Sequence, residues 1–248
     1  MPLLLLLALA LAGLTSSCSS PGSDPAPRAE KSAHAGIPVW WSSSELNILR
    51  ISDIDRELAK PLENGITVTD AAKEKGLVSD CATARELQAQ GYAAQYPRDI
   101  AALGILTAKC LALDALKTAR PAARSEMPQR PYTPQVLEFL PAALAPALTG
   151  VQQRAVERAT QKGDPLRVVE MTVGFEAARD EEIHIQGEGW QETLVLLGKA
   201  DFDGDSVQDW LLRADLAIER GTYRNSRLFL LSRNSPDAVI AVKRELKP

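Results

Sequence analysis

The sequence lacks the motifs on which the familiar enzyme classes rely. Its 2 histidines are His34 and His184, and neither belongs to a His-Glu-x-x-His zinc motif. It also contains no Gly-x-Ser-x-Gly nucleophile elbow, P-loop or dinucleotide-binding fingerprint. The triplet Gly204-Asp205-Ser206 is followed by no histidine, so it lacks the base that a serine esterase would need. These absences argue against serine hydrolase, nucleotide-binding and zinc protease chemistry.

Long apolar runs and basic stripes are also scarce. Beyond residues 3–14, no apolar run approaches the roughly 20 residues that a membrane-spanning helix needs. The formal net charge is −4, and acidic and basic residues are mixed along the chain. A nucleic-acid-binding surface would require clustered lysines and arginines. We therefore expect a body that does not span a membrane and has no nucleic acid partner.

Residues 3–14 are almost all leucine and alanine, and Thr15, two serines and Cys18 follow. This run is too short to span a bilayer as a helix and has the length of a signal-peptide core. The segment resembles the lipobox of bacterial lipoproteins, in which a cysteine after small residues is lipidated and becomes the mature N-terminus. It departs from that pattern at Thr15, where the family usually has leucine, and no basic residue precedes the leucines. The alternative is a plain secretory signal cleaved near Cys18.

This resemblance divides the start of the chain into a signal peptide, residues 1–17, and a tether, residues 18–36. The tether is rich in Ser, Pro, Ala and Gly, a composition that does not pack into a core. The resemblance implies a membrane partner through the N-terminal lipid and a location on the periplasmic side of the cell envelope. Since Ser19 follows the lipidated cysteine, it further implies anchoring at the outer membrane.

The chain has 3 cysteines, and if Cys18 carries the lipid then Cys81 and Cys110 remain. In an oxidising compartment such an even pair favours a disulfide. The sequence predicts helices over residues 80–95 and 98–118, separated by a Tyr-Pro step that disfavours helix. The two cysteines lie about equally far from this break, so an antiparallel helix hairpin would bring them together. The alternative is two buried free thiols.

The hydrophobic pattern predicts an α+β fold with a mainly helical region over residues 37–163. Ser52 can cap a helix that runs to about residue 59, and Thr69 can cap a short helix that ends near residue 76. A further helical run is expected over residues 134–162, interrupted by prolines. We expect the disulfide-linked helix hairpin to lie in the middle of this region.

From residue 164 to 248 the pattern changes to short segments rich in Val, Ile, Leu and Thr, with glycines between several of them. Short connections predict hairpins and therefore an antiparallel β-meander. This region and the helical region can form one continuous domain. The predicted strands are residues 166–176, 182–186, 191–199, 208–219, 223–233 and 239–246.

One segment of the β region has a pattern typical of a metal site. Aspartates occupy its first, third, fifth and ninth positions: Asp201, Asp203, Asp205 and Asp209. A tight turn can direct such carboxylates toward one centre, with the Val207 carbonyl as a further oxygen ligand. Calcium prefers six to eight oxygen ligands, which makes it the expected cation. The segment is not an EF-hand, because it lacks glycine at its sixth position and glutamate at its twelfth.

The segment resembles instead the calcium loop of FG-GAP and VCBS-type repeats, roughly Asp-Phe-Asn/Asp-Gly-Asp-Gly-x-x-Asp-Leu between two strands. Residues 201–205 and Asp209 match this pattern, while Ser206 stands where the family favours glycine and Trp210 where it favours leucine. The resemblance implies a bound Ca²⁺ that stabilises one hairpin and takes no part in catalysis. The alternative is an acidic turn whose carboxylates are solvated.

These observations predict an exported, lipid-anchored envelope protein that acts as a binding or interaction module without enzymatic activity. Its partner would be another envelope protein or an envelope polymer. One alternative is an envelope-polymer hydrolase that uses Glu188 and Glu192, on either side of Trp190, for acid–base catalysis. Another alternative is an accessory subunit of a larger envelope complex.

Overall fold

The structure is a computed structural model that describes residues 36–129, 133–179 and 181–248. The predicted signal peptide, Cys18 and the tether as far as residue 35 lie outside the described residues. The described residues all belong to one compact unit, His34–Pro248. Both the region predicted as helical and the region predicted as β therefore contribute to the same body.

The first part of this body mixes short strands with helices. A disulfide joins Cys81, the first residue of one helix, to Cys110 in the next, as the sequence predicts. The elements in chain order are β1 (Trp40–Trp41), α1 (Ser43–Leu46), a 3-10 helix (Ile51–Asp53), α2 (Ile54–Leu58), β2 (Ile66–Thr69), β3 (Lys75–Val78), α3 (Cys81–Ala89) and α4 (Pro97–Thr118).

The second part contains, within its described residues, two 3-10 helices, two α-helices and six strands. Its elements are the 3-10 helices Pro134–Glu138 and Ala142–Leu144, then α5 (Gly150–Lys162), α6 (Leu166–Val169), β4 (Gly174–Arg179), β5 (Glu182–Gly187), β6 (Trp190–Ala200), β7 (Asp209–Ile218), β8 (Arg224–Ser232) and β9 (Ala241–Leu246). The predicted strands between residues 182 and 246 are present, with ends shifted by at most two residues.

Local sequence signals explain where the main helices begin and end. Asp80 accepts a hydrogen bond from the Thr83 N–H, and the Thr83 side chain accepts one from the Asp80 N–H, which together cap α3. Pro97 starts α4 because proline lacks the N–H that the first helical turn leaves unpaired. Thr149 caps α5, and Gly163 ends it in a left-handed conformation.

Strands β4 to β9 pair antiparallel in sequence order, and β1 completes a sheet of 7 strands. β5 covers β6 only as far as Val195, so the far end of β6 has a free side. β1 pairs there, with Trp40 opposite Lys199. A separate two-stranded sheet is formed by β2 and β3. The α+β class is therefore confirmed.

Helices cover both faces of the large sheet. Leu194 and Leu196 of β6 pack with Leu140 and Leu166, whereas Val195 and Leu197 pack with α4 residues that include Leu113 and Leu116. Because successive side chains on a strand point to opposite faces, a strand buried on both faces has a continuous apolar run. Residues 194–197 form such a run, and all four are buried.

The predicted helix between Thr69 and residue 76 is wrong, because this stretch forms the β2–β3 hairpin. In β2 the alternation of Ile66 buried, Thr67 exposed and Val68 buried indicates a strand. The turn is closed by the Asp70 carboxylate, which accepts the Glu74 N–H at 2.8 Å. An aspartate that hydrogen-bonds its own chain favours turns over helices.

Other predicted boundaries also need correction. Residues 166–176 are not one strand, since Leu166 follows a proline and begins α6, and β4 starts only at Gly174. The expected helical run over residues 134–162 divides into the two 3-10 helices and α5. Ser52 does not cap α2, whose N-cap is Asp53 without a side-chain hydrogen bond. No helix in the described ranges is both long and apolar enough to cross a membrane.

Candidate metal centre

The aspartate-rich segment forms the loop between β6 and β7, residues 201–208. The segment that follows α4 runs alongside it and holds it from one side. Arg120 and Asp201 exchange two backbone hydrogen bonds, of 3.0 and 2.9 Å, and the Gln208 N–H donates to the Arg124 carbonyl at 2.8 Å. Ser125 also donates its hydroxyl to the Gln208 side chain at 3.0 Å. The two ends of the loop are therefore fixed to the rest of the body.

Asp201 organises the inside of the loop. Its Oδ1 accepts the Gly204 N–H at 2.6 Å and its Oδ2 accepts the Ser206 N–H at 3.0 Å. Both of these residues have left-handed backbone conformations, with φ of 88° at Gly204 and 66° at Ser206. Asp201 as a whole is only 4% exposed. Each of its oxygens retains a further lone pair that can bind a cation.

Asp209, the first residue of β7, closes the loop from its far end. It is fully buried, and its Oδ2 accepts the Phe202 N–H at 3.1 Å. Within the described part of the chain, its Oδ1 and the neighbouring Ser232 hydroxyl are both buried without a hydrogen-bond partner. Burial, with the negative charges of Asp203 and Asp205, raises the pKa of Asp209 to about 6, although the nearby Ser232 hydroxyl opposes the shift. A buried carboxylate with an unpaired oxygen favours a positive charge beside it.

Asp201, Asp203 and Asp209 form a group that can hold a metal ion. One oxygen from each of the three carboxylates lies within 4.8 Å of the others. Two of the three side chains are buried and Asp203 is exposed. Negative charges this close repel one another unless a cation lies between them. The arrangement is consistent with calcium and does not by itself identify the ion.

Asp205 and Val207 make a different set of contacts. The Asp205 Oδ1 accepts the Val207 N–H at 2.8 Å, and its Oδ2 lies 3.3 Å from the Lys243 ammonium. Burial raises the pKa of Asp205, but the hydrogen bond from Val207 and the pairing with Lys243 lower it. The net result is a pKa below the usual value of an aspartate. The described geometry does not bring Asp205 into the group of three carboxylates. Its role as a ligand, and that of the Val207 carbonyl, stay predictions.

Lys243 contacts the loop from outside it, and the sequence pattern gave no indication of this contact. It belongs to β9, where a bulge leaves it as the extra residue between Val242 and Arg244, whose partners in β8 are adjacent. Its Nζ lies 3.3 Å from Oδ2 of Asp203 and 3.3 Å from Oδ2 of Asp205. Because it is distant from the loop along the chain, no local spacing could have indicated this contact.

The structure separates the two glutamates of the hydrolase alternative. Glu192 is buried and pairs with Arg227 at 3.4 Å, whereas Glu188 is exposed in the turn between β5 and β6. A cavity of about 660 Å³ lies between α4 and strands β8 and β9. Glu245 is the one acidic side chain that lines it. The residues that line this cavity therefore include no pair of acidic side chains.

The chain matches no protein-family model, no curated protein and no solved structure. The features of the chain that bear on function are the aspartate loop, the disulfide and the two sequence resemblances.

Proposed function

We propose that this chain is an exported, lipid-anchored envelope protein that acts as a binding module, and that its aspartate loop holds a structural calcium ion. The observation that carries the calcium site is the environment of Asp209. This carboxylate is fully buried, its Oδ1 is unpaired within the described residues, and carboxylate oxygens of Asp201 and Asp203 lie within 4.8 Å of it.

The chemistry of these ligands favours calcium over other common cations. All of the side chains involved are carboxylates, which are the hard oxygen ligands that calcium prefers, and the group includes no histidine or cysteine. Magnesium is smaller and prefers to keep several of its waters. The resemblance to FG-GAP and VCBS-type loops adds Asp205 and the Val207 carbonyl to the proposed ligands.

The position of the loop supports a structural role for the ion. The loop joins β6 to β7 near the centre of the sheet, and both strands are buried through most of their length. A calcium ion here would contact three carboxylates at once, offset two of their three negative charges and hold the ends of two core strands together. It would thereby stabilise the body on which a binding surface is built.

Other observations support the proposed compartment and the proposed lipid anchor of the chain. A Cys81–Cys110 disulfide is typical of an oxidising compartment such as the bacterial periplasm. The lipid anchor on Cys18 and outer-membrane placement rest on the lipobox resemblance, and that segment lies outside the described residues. The partner we propose is an envelope protein or polymer.

Isothermal titration calorimetry with calcium tests the proposed site on the full chain and on Asp203→Asn. Extracytoplasmic calcium sites often bind with dissociation constants of about 10⁻⁴ to 10⁻³ M. We expect the wild type to bind in this range and Asp203→Asn to bind more weakly, because the amide keeps an oxygen ligand but loses the negative charge. Calcium at about ten times its Kd should stabilise the wild-type fold by about 1.4 kcal/mol, measured as a higher Tm than in chelator.

Asp237→Asn is the matched control, because it removes the same charge from an exposed turn between β8 and β9. It should bind calcium as the wild type does. Wild-type protein that takes up no calcium at about 10 mM, or an Asp203→Asn variant that binds equally well, would contradict the proposal.

A further inference from the structure

We infer that Lys243 is an internal competitor of the calcium ion, and that calcium binding displaces its ammonium group from the aspartate loop. This inference rests on the proposed calcium site. It adds a residue from a distant strand that regulates the affinity of that site and links its occupancy to the edge strand β9.

Asp203 is the residue that the two cations would share. It contributes an oxygen to the group formed with Asp201 and Asp209, and its Oδ2 lies 3.3 Å from Lys243 Nζ. The same ammonium lies 3.3 Å from Asp205 Oδ2. A divalent ion and an ammonium next to one carboxylate repel each other. Full occupancy by one therefore weakens the contact made by the other.

The site also contains a group that Lys243 does not satisfy. Asp209 is fully buried, and its Oδ1 has no hydrogen-bond partner in the described part of the chain. The contacts of Lys243 are with Asp203 and Asp205, on the exposed side of the loop. The ammonium thus offsets part of the charge on the outer carboxylates and leaves the inner one for a cation. Because Lys243 does not contact Asp209, it competes with the ion for Asp203 but does not replace the ion.

The backbone of β9 directs Lys243 toward the loop. The bulge at Lys243 changes the register of β9 against β8, from Leu230 opposite Arg244 to Leu231 opposite Val242. Bulges commonly re-aim one side chain of an edge strand. Because coupling between two sites is reciprocal, an ammonium that weakens calcium binding is itself released when calcium binds. Calcium binding would then release the Lys243 side chain on the edge strand β9.

Calcium titration calorimetry on the full-length wild type and Lys243→Met tests this inference. Removal of the competing charge should tighten calcium binding about fivefold or more, within the usual range of coupling between sites. Lys247→Met is the matched control: it removes the same charge from a side chain that is 71% exposed and pairs with Glu245. Its calcium affinity should equal that of the wild type.

Thermal melts separate competition from a purely structural role. In chelator, Lys243→Met should melt below the wild type, because Asp203 and Asp205 lose their counter-charge. In saturating calcium this difference should shrink or vanish, since the ion has already displaced the lysine. A lysine that merely supports the fold would lower the Tm by the same amount in both conditions, and this result would overturn the inference.

The possible outcomes also distinguish this inference from the proposed function. If the wild type binds calcium and Lys243→Met binds with equal or weaker affinity, the competitor role is wrong and the calcium site stands. If neither protein binds calcium, the calcium site is wrong and the inference fails with it.

Discussion

Asp209 is the residue whose environment is hardest to explain without a bound cation. Its carboxylate is fully buried, and burial raises its pKa to about 6 because the charged form is desolvated there. An ionised carboxylate in such a place destabilises the fold unless a positive charge compensates it. Lys243 contacts other carboxylates of the loop. We therefore regard Asp209 as the central ligand of the proposed calcium site.

Ser206 illustrates how one departure from the resembled calcium loop affects the backbone. The family favours glycine here, and Ser206 has a φ of 66°, a left-handed conformation that suits glycine. We expect Ser206→Gly to increase the free energy of unfolding by about 0.5–1 kcal/mol, because it relieves this strain. Urea denaturation in chelator measures the effect. A loss of stability would show that the serine side chain contributes more than its backbone strain costs.

Glu192 gives the fold a pH dependence that is independent of the calcium loop. Burial raises the pKa of Glu192 to about 7, against the attraction of Arg227. The folded state therefore holds the proton more firmly than the unfolded state. The stabilisation of the folded state by the proton on Glu192 is complete below about pH 4.5. It is lost as the pH rises through about 7. Arg227 also donates to the carbonyls of Ala143 and Leu144, so the pair lies beneath a 3-10 helix.

Glu192→Gln should remove this dependence. The free energy of unfolding of Glu192→Gln minus that of the wild type should increase by on the order of 2 kcal/mol from about pH 5 to about pH 8. Chemical denaturation at the two pH values measures this change, with the exposed Glu63→Gln as control. A difference from the wild type that is the same at both pH values would mean that Glu192 does not titrate in this range.

At the scale of secondary-structure elements, the disulfide fixes the helical layer on one side of the sheet. It joins Cys81, at the start of α3, to Cys110 in α4, with a separation of 29 residues and a Cα–Cα distance of 5.7 Å. In the loop-entropy account, a cross-link of this span stabilises the folded state by about 3.5 kcal/mol. α3 also packs against the β2–β3 hairpin in a small core of its own.

Replacing both cysteines by serine should lower the free energy of unfolding by about 3 kcal/mol, as measured by urea denaturation. A Cys18→Ser chain, which keeps the bridge, is the control, and the double variant carries Cys18→Ser as well so that neither protein is lipidated. If the double variant were as stable as this control, the bridge would not constrain the unfolded chain as proposed.

The elements that the sequence predicted well are those with local signals. The strands from residue 182 onward follow from β-branched and leucine-rich runs between turn residues, and α4 follows from its apolar face. The hairpin of β2 and β3 was missed because Thr69 precedes a segment that also suits a helix start. Local helix signals there were overridden by the packing of Ile66 and Val68 against α3 and α4.

The aspartate loop was also predictable from a local pattern, whereas the contact that Lys243 makes with it was not. The spacing of the aspartates within one short segment predicts a common centre, and the structure brings Asp201, Asp203 and Asp209 together. The contact of Lys243 depends on the order of strands β7, β8 and β9 and on a bulge in β9. Such long-range geometry leaves no short-range pattern in the sequence.

At the scale of the whole molecule, a body with helices on both faces of an antiparallel sheet follows a proposed signal peptide and tether. If Cys18 carries a lipid, the full chain expressed in a Gram-negative bacterium should partition into detergent and sediment with membranes. Cys18→Ser should move to the aqueous phase, because the anchor is lost. Equal partitioning of the two proteins would contradict lipidation and favour a plain secretory signal.

The most direct test of the central claim is a crystal structure of the full chain grown with about 10 mM calcium, with an anomalous difference map. We predict a calcium peak about 2.3–2.6 Å from oxygens of Asp201, Asp203 and Asp209, with Lys243 displaced from Asp203. An absent peak, with Lys243 still in contact with Asp203 and Asp205, would contradict the account and leave the loop as an acidic turn neutralised by lysine.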